Sequence, residues 1–202
     1  MKPQLCKLTD QNLRTYGGFQ WELGVSAPVL PPGGKLCSGS FYHGYEHPYL
    51  AVLLNTVHAN FENPRLFLIK VEGEVVSDKG LKFGCKSMTL LEEIPLPKIT
   101  KTQRVAFAIL CAKQVCKDEA WNVWANKWLS GEDRTKAATA KAAERAERAA
   151  KAAERAAEWT VWRAAAWAAN AVEDATASAA WRAASVGKLD LIALAVEAVT
   201  NY

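Results

Sequence analysis

No glycine and no proline interrupts the chain between Gly131 and Gly187, and nearly half of that interval is alanine. With helix breakers absent, the interval is expected to be helical. It is also poor in large side chains, so a helix built from it cannot bury itself and needs a partner surface. No Cys-x-x-Cys pair occurs among Cys6, Cys37, Cys85, Cys111 and Cys116, which removes the usual support for a structural zinc site. Their odd number and irregular spacing fit reduced thiols inside a cell better than a disulfide framework. Nothing approaches a run of about 18 strongly apolar residues, and the opening MKPQLCKLTD has no apolar core of signal-peptide length. A cytosolic protein without a membrane span is the expectation. Walker A, GxGxxG, GxSxG and HExxH motifs are all missing, which withholds the familiar nucleotide-cradling, acyl-transfer and zinc-protease readings.

The 202 residues that are present suffice for one core with an extension, or for two small domains. A net charge of +4 permits a nucleic-acid partner without arguing for one. Residues 1–98 read as a small mixed α/β domain. Thr15-Tyr16-Gly17-Gly18 and Pro31-Pro32-Gly33-Gly34 punctuate it as turns, and residues 19–23 alternate as a short strand would. Pro48 suits the first position of a helix running to about residue 59. Residues 65–76 and 81–94 read as strands joined at Ser77-Asp78-Lys79-Gly80 into a hairpin. Pro95 and Pro97 close the domain.

Residues 99–131 read as two short helices. Thr100-x-x-Gln103 is a capping box ahead of Val105, Ala108, Ile109, Ala112 and Cys116 at helical spacing. Asp118 can cap a second helix that carries Trp121, Trp124 and Trp128 on one face. Packing at the junction with the tail is the plain reading of that stripe, and an aromatic ligand platform is the sharper one.

Residues 132–202 form the alanine-rich tail, with Asp133 or Thr135 available as a cap. An unbroken helix to Ser185 would span about 75 Å. Ala143, Ala150, Ala157, Ala164, Ala171, Ser178 and Ser185 recur every seven residues, with Ala146 and Ala153 at the intermediate position. This is a heptad seam of small side chains, and the simplest destination for it is a second copy of the chain. Glu144 to Arg148 and Glu147 to Lys151 are helix-favouring charge pairs. The basic residues of the tail are matched by glutamates, so its charged face reads as solvated and nucleic acid is not supported. Two geometries compete: a long rod, which is favoured, and a hairpin broken near residues 170–174. Gly187 stops the helix, and residues 189–199 give a last short one.

The densest polar cluster is Tyr42, His43, Tyr45, Glu46 and His47, with His58 one helix away, and it holds all three histidines of the protein. Two histidines and a glutamate could in principle hold a metal or act as acid and base. The H-x-x-x-H spacing lacks the zincin glutamate, and Pro48 keeps it off a helix interior, so no metal and no cofactor is expected. A loop with local hydrogen bonds is the plain reading, and a ligand or partner surface the functional one. Cys37 lies near this cluster, but no third group identifies a nucleophilic site. Glu72 and Glu74 are most simply the solvent face of a strand.

The segments LTDQNLRTYGGFQWELG, GSFYHGYEHPYLAVLLNTVHANFENPRLF, VEGEVVSDKGLKFGC and PLPKITKTQRVAFAILCA stand in that order ahead of the alanine-rich tail. In this the chain resembles a family of small tailed-bacteriophage proteins. The resemblance implies a phage-encoded protein in the host bacterial cytoplasm and carries no catalytic residues with it. A second likeness covers the N-terminal domain alone: a Gly-x-Phe/Tyr segment, a helix and a strand ending in Val-x-Gly are similar to the middle of ADP-ribosyltransferase-like folds.

An α+β protein is therefore expected. Its head would bind a bacterial host protein or complex, as an inhibitor of a host defence system would, and its tail would self-associate. An enzyme with a nucleotide-type ligand near His43, His47 and His58 is the alternative, and a virion or assembly component is a third reading.

Overall fold

In a computed structural model of the chain, the described residues are 4–152, 164, 165, 168 and 173–202, with backbone alone for 147–152 and 173–177. They form an α+β protein whose contacts gather into two compact units, Met1–Lys98 and Ile99–Tyr202.

The first unit holds four strands, β1 (Cys6–Thr9), β2 (Tyr42–Gly44), β3 (Arg65–Asp78) and β4 (Lys82–Ile94), and one helix, α1 (Pro48–His58). Every strand pairing is antiparallel and the sheet order is β1-β3-β4-β2. The β3–β4 hairpin turns where expected. Lys79 and Gly80 both have φ near +50° to +80°, and the Leu81 amide donates to the Asp78 carbonyl at 2.8 Å. Two successive left-handed residues match the twist of the strands they join. Before the turn, Gly73 (φ 79°) sits at a bulge between Glu72 and Val75 in the outer half of β3. Glu72 and Glu74 are exposed on that half, and Glu72 pairs with Lys70 at 2.6 Å.

The sheet curls until its outer strands meet. The Cys6 and Tyr45 backbones exchange two hydrogen bonds, at 2.9 and 2.8 Å, which ties β1 to the end of β2. Gly44 is needed at this seam: a Cβ there would lie 2.7 Å from the Phe83 ring, 3.0 Å from Ile69 and 3.1 Å from the Cys6 carbonyl oxygen. Inside the curl Trp21, Phe67, Ile69, Phe83, Met88 and Leu90 form the core.

Two sequence expectations are corrected here. Residues 19–23 form no strand. Gln20 and Leu23 make isolated bridges, and the stretch that follows lines the edge of β4 beyond β2, with Ala27 donating to the Met88 carbonyl and Leu30 to that of Lys86. Residues 42–44, expected in a loop, are instead a strand, because the free edge of β4 at residues 83–85 takes them. The pairings of residues 23–30 and 42–44 with β4 have no local signal, since β4 is distant in sequence from both.

The second unit is helical: α2 (Lys101–Val115), α3 (Glu119–Ser130), α4 (Lys136–Ala152), α5 (Glu173–Val186) and α6 (Leu191–Asn201). The capping box of α2 is made in full: the Gln103 amide donates to Thr100 Oγ1, and the Thr100 amide to Gln103 Oε1. Asp118 caps α3, Gly131 ends it in the left-handed conformation, and Asp190 caps α6. Residues 106–112 of α2 are buried on all sides, with α5 and α6 packed against them. Alanines at 179, 180, 183 and 184 provide the buried face of α5, and α3 packs on α4.

A single long alanine-rich helix is not shown among the described residues. Arg145 of α4 grips Asp118 at 2.6 Å, while a Cβ on Gly187, just past α5, would sit 3.2 Å from Val115. Val115 and Asp118 are three residues apart, so these contacts hold Arg145 within about 30 Å of Gly187. An unbroken helix would separate the two by about 63 Å. The alternative break near residues 170–174 falls partly outside the described residues.

Candidate functional site

The strand pairing that closes the sheet also gathers the histidine cluster. β2 carries Tyr42 and His43, the closing bridge fixes Tyr45, and Pro48 opens α1, which delivers His58 at its last turn. Tyr42 packs in the core against Phe19 and Trp21, and its hydroxyl donates to the Pro28 carbonyl at 3.1 Å. His43 Nε2 is bound to the Leu36 carbonyl. Tyr45 is buried, with its ring stacked on His58 at 5.8 Å and its hydroxyl 3.1 Å from His58 Nδ1. His47 is a helix cap: its Nδ1 accepts from the Tyr49 amide at 3.1 Å and its ring meets Tyr49 edge-on. Glu46 is half-buried beside it.

The structure thus divides the cluster. His43, Tyr45 and His58 share the wall of a pocket of about 90 Å³, together with Lys7, Thr15, Tyr16, Phe61 and Lys82. Tyr42, Glu46 and His47 do not line it. Sequence reasoning missed Lys7, which stands on β1 and reaches the pocket because β1 closes onto residue 45. An isolated lysine in a short strand gives no signal of that kind.

Electrostatically the pocket favours neutral side chains over charged ones. Burial pushes His58 down to about 3, with Lys82 and then His43 adding to it. His43 is lowered by burial against the opposing hydrogen bond to Leu36, with Lys82 and Lys7 contributing and Asp78 opposing. Burial also lowers His47 and raises Tyr45. Lys7 is 6% exposed, and burial brings its amine down to about 8. Its Nζ donates to the His43 carbonyl at 2.7 Å and lies 4.9 Å from the Trp21 ring. The buried thiols are not activated: burial raises Cys6 to about 12, Cys85 to about 11, and Cys111 and Cys116 upward. Among the described residues no group of three or more His, Cys, Asp or Glu side chains could hold a metal ion.

In the helical unit Trp121, Trp124 and Trp128 are buried, and the first two help line a larger pocket of about 430 Å³ between α3 and α4. The indole N–H groups of Trp121 and Trp124 are buried without an acceptor. At its rim Arg145 forms a two-pronged pair with Asp118, at 2.8 and 2.6 Å, and Lys127 pairs with Glu132 at 2.8 Å.

Of the small-residue seam, Ala143, Ala146 and Ala164 are buried within one chain and Ser178 is half-buried. Those alanines are already covered and offer no free methyl surface to a second copy. Ala150, Ala153, Ala157 and Ala171 lie outside the residues whose side chains are described. Among the described residues no helix is long and apolar enough to cross a membrane.

Comparison with known proteins finds no matching family model, no similar curated protein and no similar solved structure.

Proposed function

We propose that this chain is a phage-encoded accessory binding protein whose N-terminal unit recognises a macromolecule of the bacterial host, as an inhibitor of a defence system would. The observation that carries the reading is the convergence of His43, Tyr45 and His58 on one pocket beside Tyr16, whose side chain is 98% exposed. Both pocket histidines have one ring nitrogen committed to a partner within the chain, and the buried thiols are pushed away from reactivity. That arrangement suits recognition better than proton transfer. The phage setting rests on the order of the sequence segments. In this reading α5 packs on α2 and α4 on α3 within one copy.

The test is retention of host components by the tagged full-length chain, compared with a variant carrying alanine at His43 and His58. The expected result is a specific macromolecule held by the wild type and lost in the folded variant. Equal retention by both would sink the reading. A nucleotide-consuming activity that the variant loses would replace it with the enzyme alternative. Mass measurement in solution addresses the tail: one copy is expected, and a stable dimer would return the seam to an intermolecular role.

A further inference from the structure

Lys7 is a buried ammonium that the protein itself only half satisfies. A second buried lysine of the same sheet shows what full satisfaction looks like. Lys86, 4% exposed, donates to the Gly33 and Ser40 carbonyls and lies 3.6 Å from the Phe41 ring centre. Lys7 has one carbonyl and a more distant ring, and among the described residues no carboxylate lies within ion-pair reach of it. An ammonium carries three donors, and burying one without its partners is expensive. Lys7 also lines a pocket.

The rest of the lining points the same way. The pocket contains a second ammonium, Lys82, and no acidic residue. Thr15 Oγ1 accepts from the Trp21 indole at 2.9 Å, which leaves its hydroxyl proton available to donate. His58, tied through Nδ1 to Tyr45, keeps Nε2. Asp78, which faces Lys82 in the hairpin register, is the nearby carboxylate, and it does not line the pocket. The pocket's volume of about 90 Å³ admits more than a single water. That holds a tetrahedral oxyanion and is well short of the several hundred Å³ that a whole nucleotide-sized ligand fills.

We propose that this pocket is an oxyanion site that takes a phosphate or a phosphate monoester, with Lys7 and Lys82 as its counter-charges and Thr15 as a neutral donor. Tyr16, exposed at its mouth, offers a ring to whatever the phosphate is attached to. The inference rests on the N-terminal unit being the recognition module and names the group that it reads.

The experiment is titration of the purified full-length protein with inorganic phosphate, and separately with a nucleoside monophosphate, at constant ionic strength in chloride. It is followed by NMR at the His43 and His58 rings and by the thermal midpoint. Saturable shifts with a raised midpoint are expected. Lys7→Met should weaken binding by tenfold or more without lowering the midpoint of the unliganded protein, and Lys82→Gln should weaken it by a smaller factor. Tighter binding of the monoester would assign the group to a larger ligand, and equal binding to free phosphate. The absence of saturable shifts with both anions, undiminished binding by Lys7→Met, or equally tight binding of acetate would each overturn the proposal. Retention of a host macromolecule that Lys7→Met abolishes, without any phosphate binding, would remove the anion site alone. Phosphate binding with no host macromolecule retained would instead remove the recognition reading.

Discussion

Replacing Lys7 by methionine should stabilise the unliganded protein at neutral pH, and the gain should shrink as pH rises. Burial holds the amine at about 8 in the folded chain, against an ordinary value of 10.5. At pH 7 both states are protonated, and the folded state carries a penalty of about 3 kcal/mol for keeping the charge. Losing the hydrogen bond to the His43 carbonyl offsets about 1–1.5 kcal/mol of this, so the variant should be more stable by about 1–2 kcal/mol. Between pH 8 and 10.5 the unfolded chain holds the Lys7 proton that the folded chain has released. Wild-type stability therefore gains from Lys7 as pH climbs through this window, and by pH 10 the penalty has fallen by about 2 kcal/mol. Cys6 acts in the opposite sense above pH 9, because burial raises it, and is common to both proteins. Cys85, raised by burial but lowered by Lys7, is raised further in the variant, which adds to the loss of the variant's advantage at high pH. The assay is denaturant unfolding of both proteins at pH 7 and pH 10 in phosphate-free buffer. A variant less stable than the wild type at pH 7, or a difference that does not change with pH, would refute the picture of Lys7 as an uncompensated buried charge.

Gly44→Ala should destabilise the first unit by about 1–3 kcal/mol, since its Cβ would press on Phe83, Ile69 and the Cys6 carbonyl at once. Chemical unfolding checks this, and a change under 0.5 kcal/mol would show that the sheet closure yields easily. Asp118 caps α3 and also holds Arg145, so Asp118→Ala should cost about 1–2 kcal/mol whereas Arg145→Ala, at an exposed ion pair, should cost less. The Arg145 hydrogen bond lowers Asp118, so its contribution is present above the ordinary carboxylate range and fades as pH falls through the folded value. Equal effects of the two variants would mean that the ion pair, not the cap, dominates. Burial holds His58 down to about 3, so its ring should stay neutral by NMR at pH 5, where an exposed histidine is charged. Because the unfolded chain protonates there first, His58 should weaken stability as pH drops from 6.5 towards 3. A ring that titrates near 6.5 would place it in open solvent.

Features with local causes were legible in the sequence. Thr100, Asp118, Gly131 and Pro48 each act within one helical turn, and each holds the role that its neighbours implied. The hairpin at Lys79-Gly80 is local in the same sense. The short strands were not legible: Cys6–Thr9 and Tyr42–Gly44 acquire strand conformation from partners distant in sequence. The site depends on those pairings. Its histidines and Tyr45 stood out by type and proximity, whereas Lys7 joins them only once β1 meets residue 45.

The alanine seam shows why pattern alone does not name a partner. A seven-residue repeat of small side chains states that another backbone comes close, and it is silent about whose backbone that is. Here α2 supplies the answer for α5. Its residues 106–112 include three alanines and a cysteine, a surface small enough to take Ala179, Ala180, Ala183 and Ala184. A contact within one chain avoids the entropy of association that a second copy must pay. Contact between small faces gains little per methyl, so the lower entropic penalty decides between the two. In the proposed reading the alanines of α5 support the helical unit from within one copy, and recognition belongs to the basic pocket of the first unit.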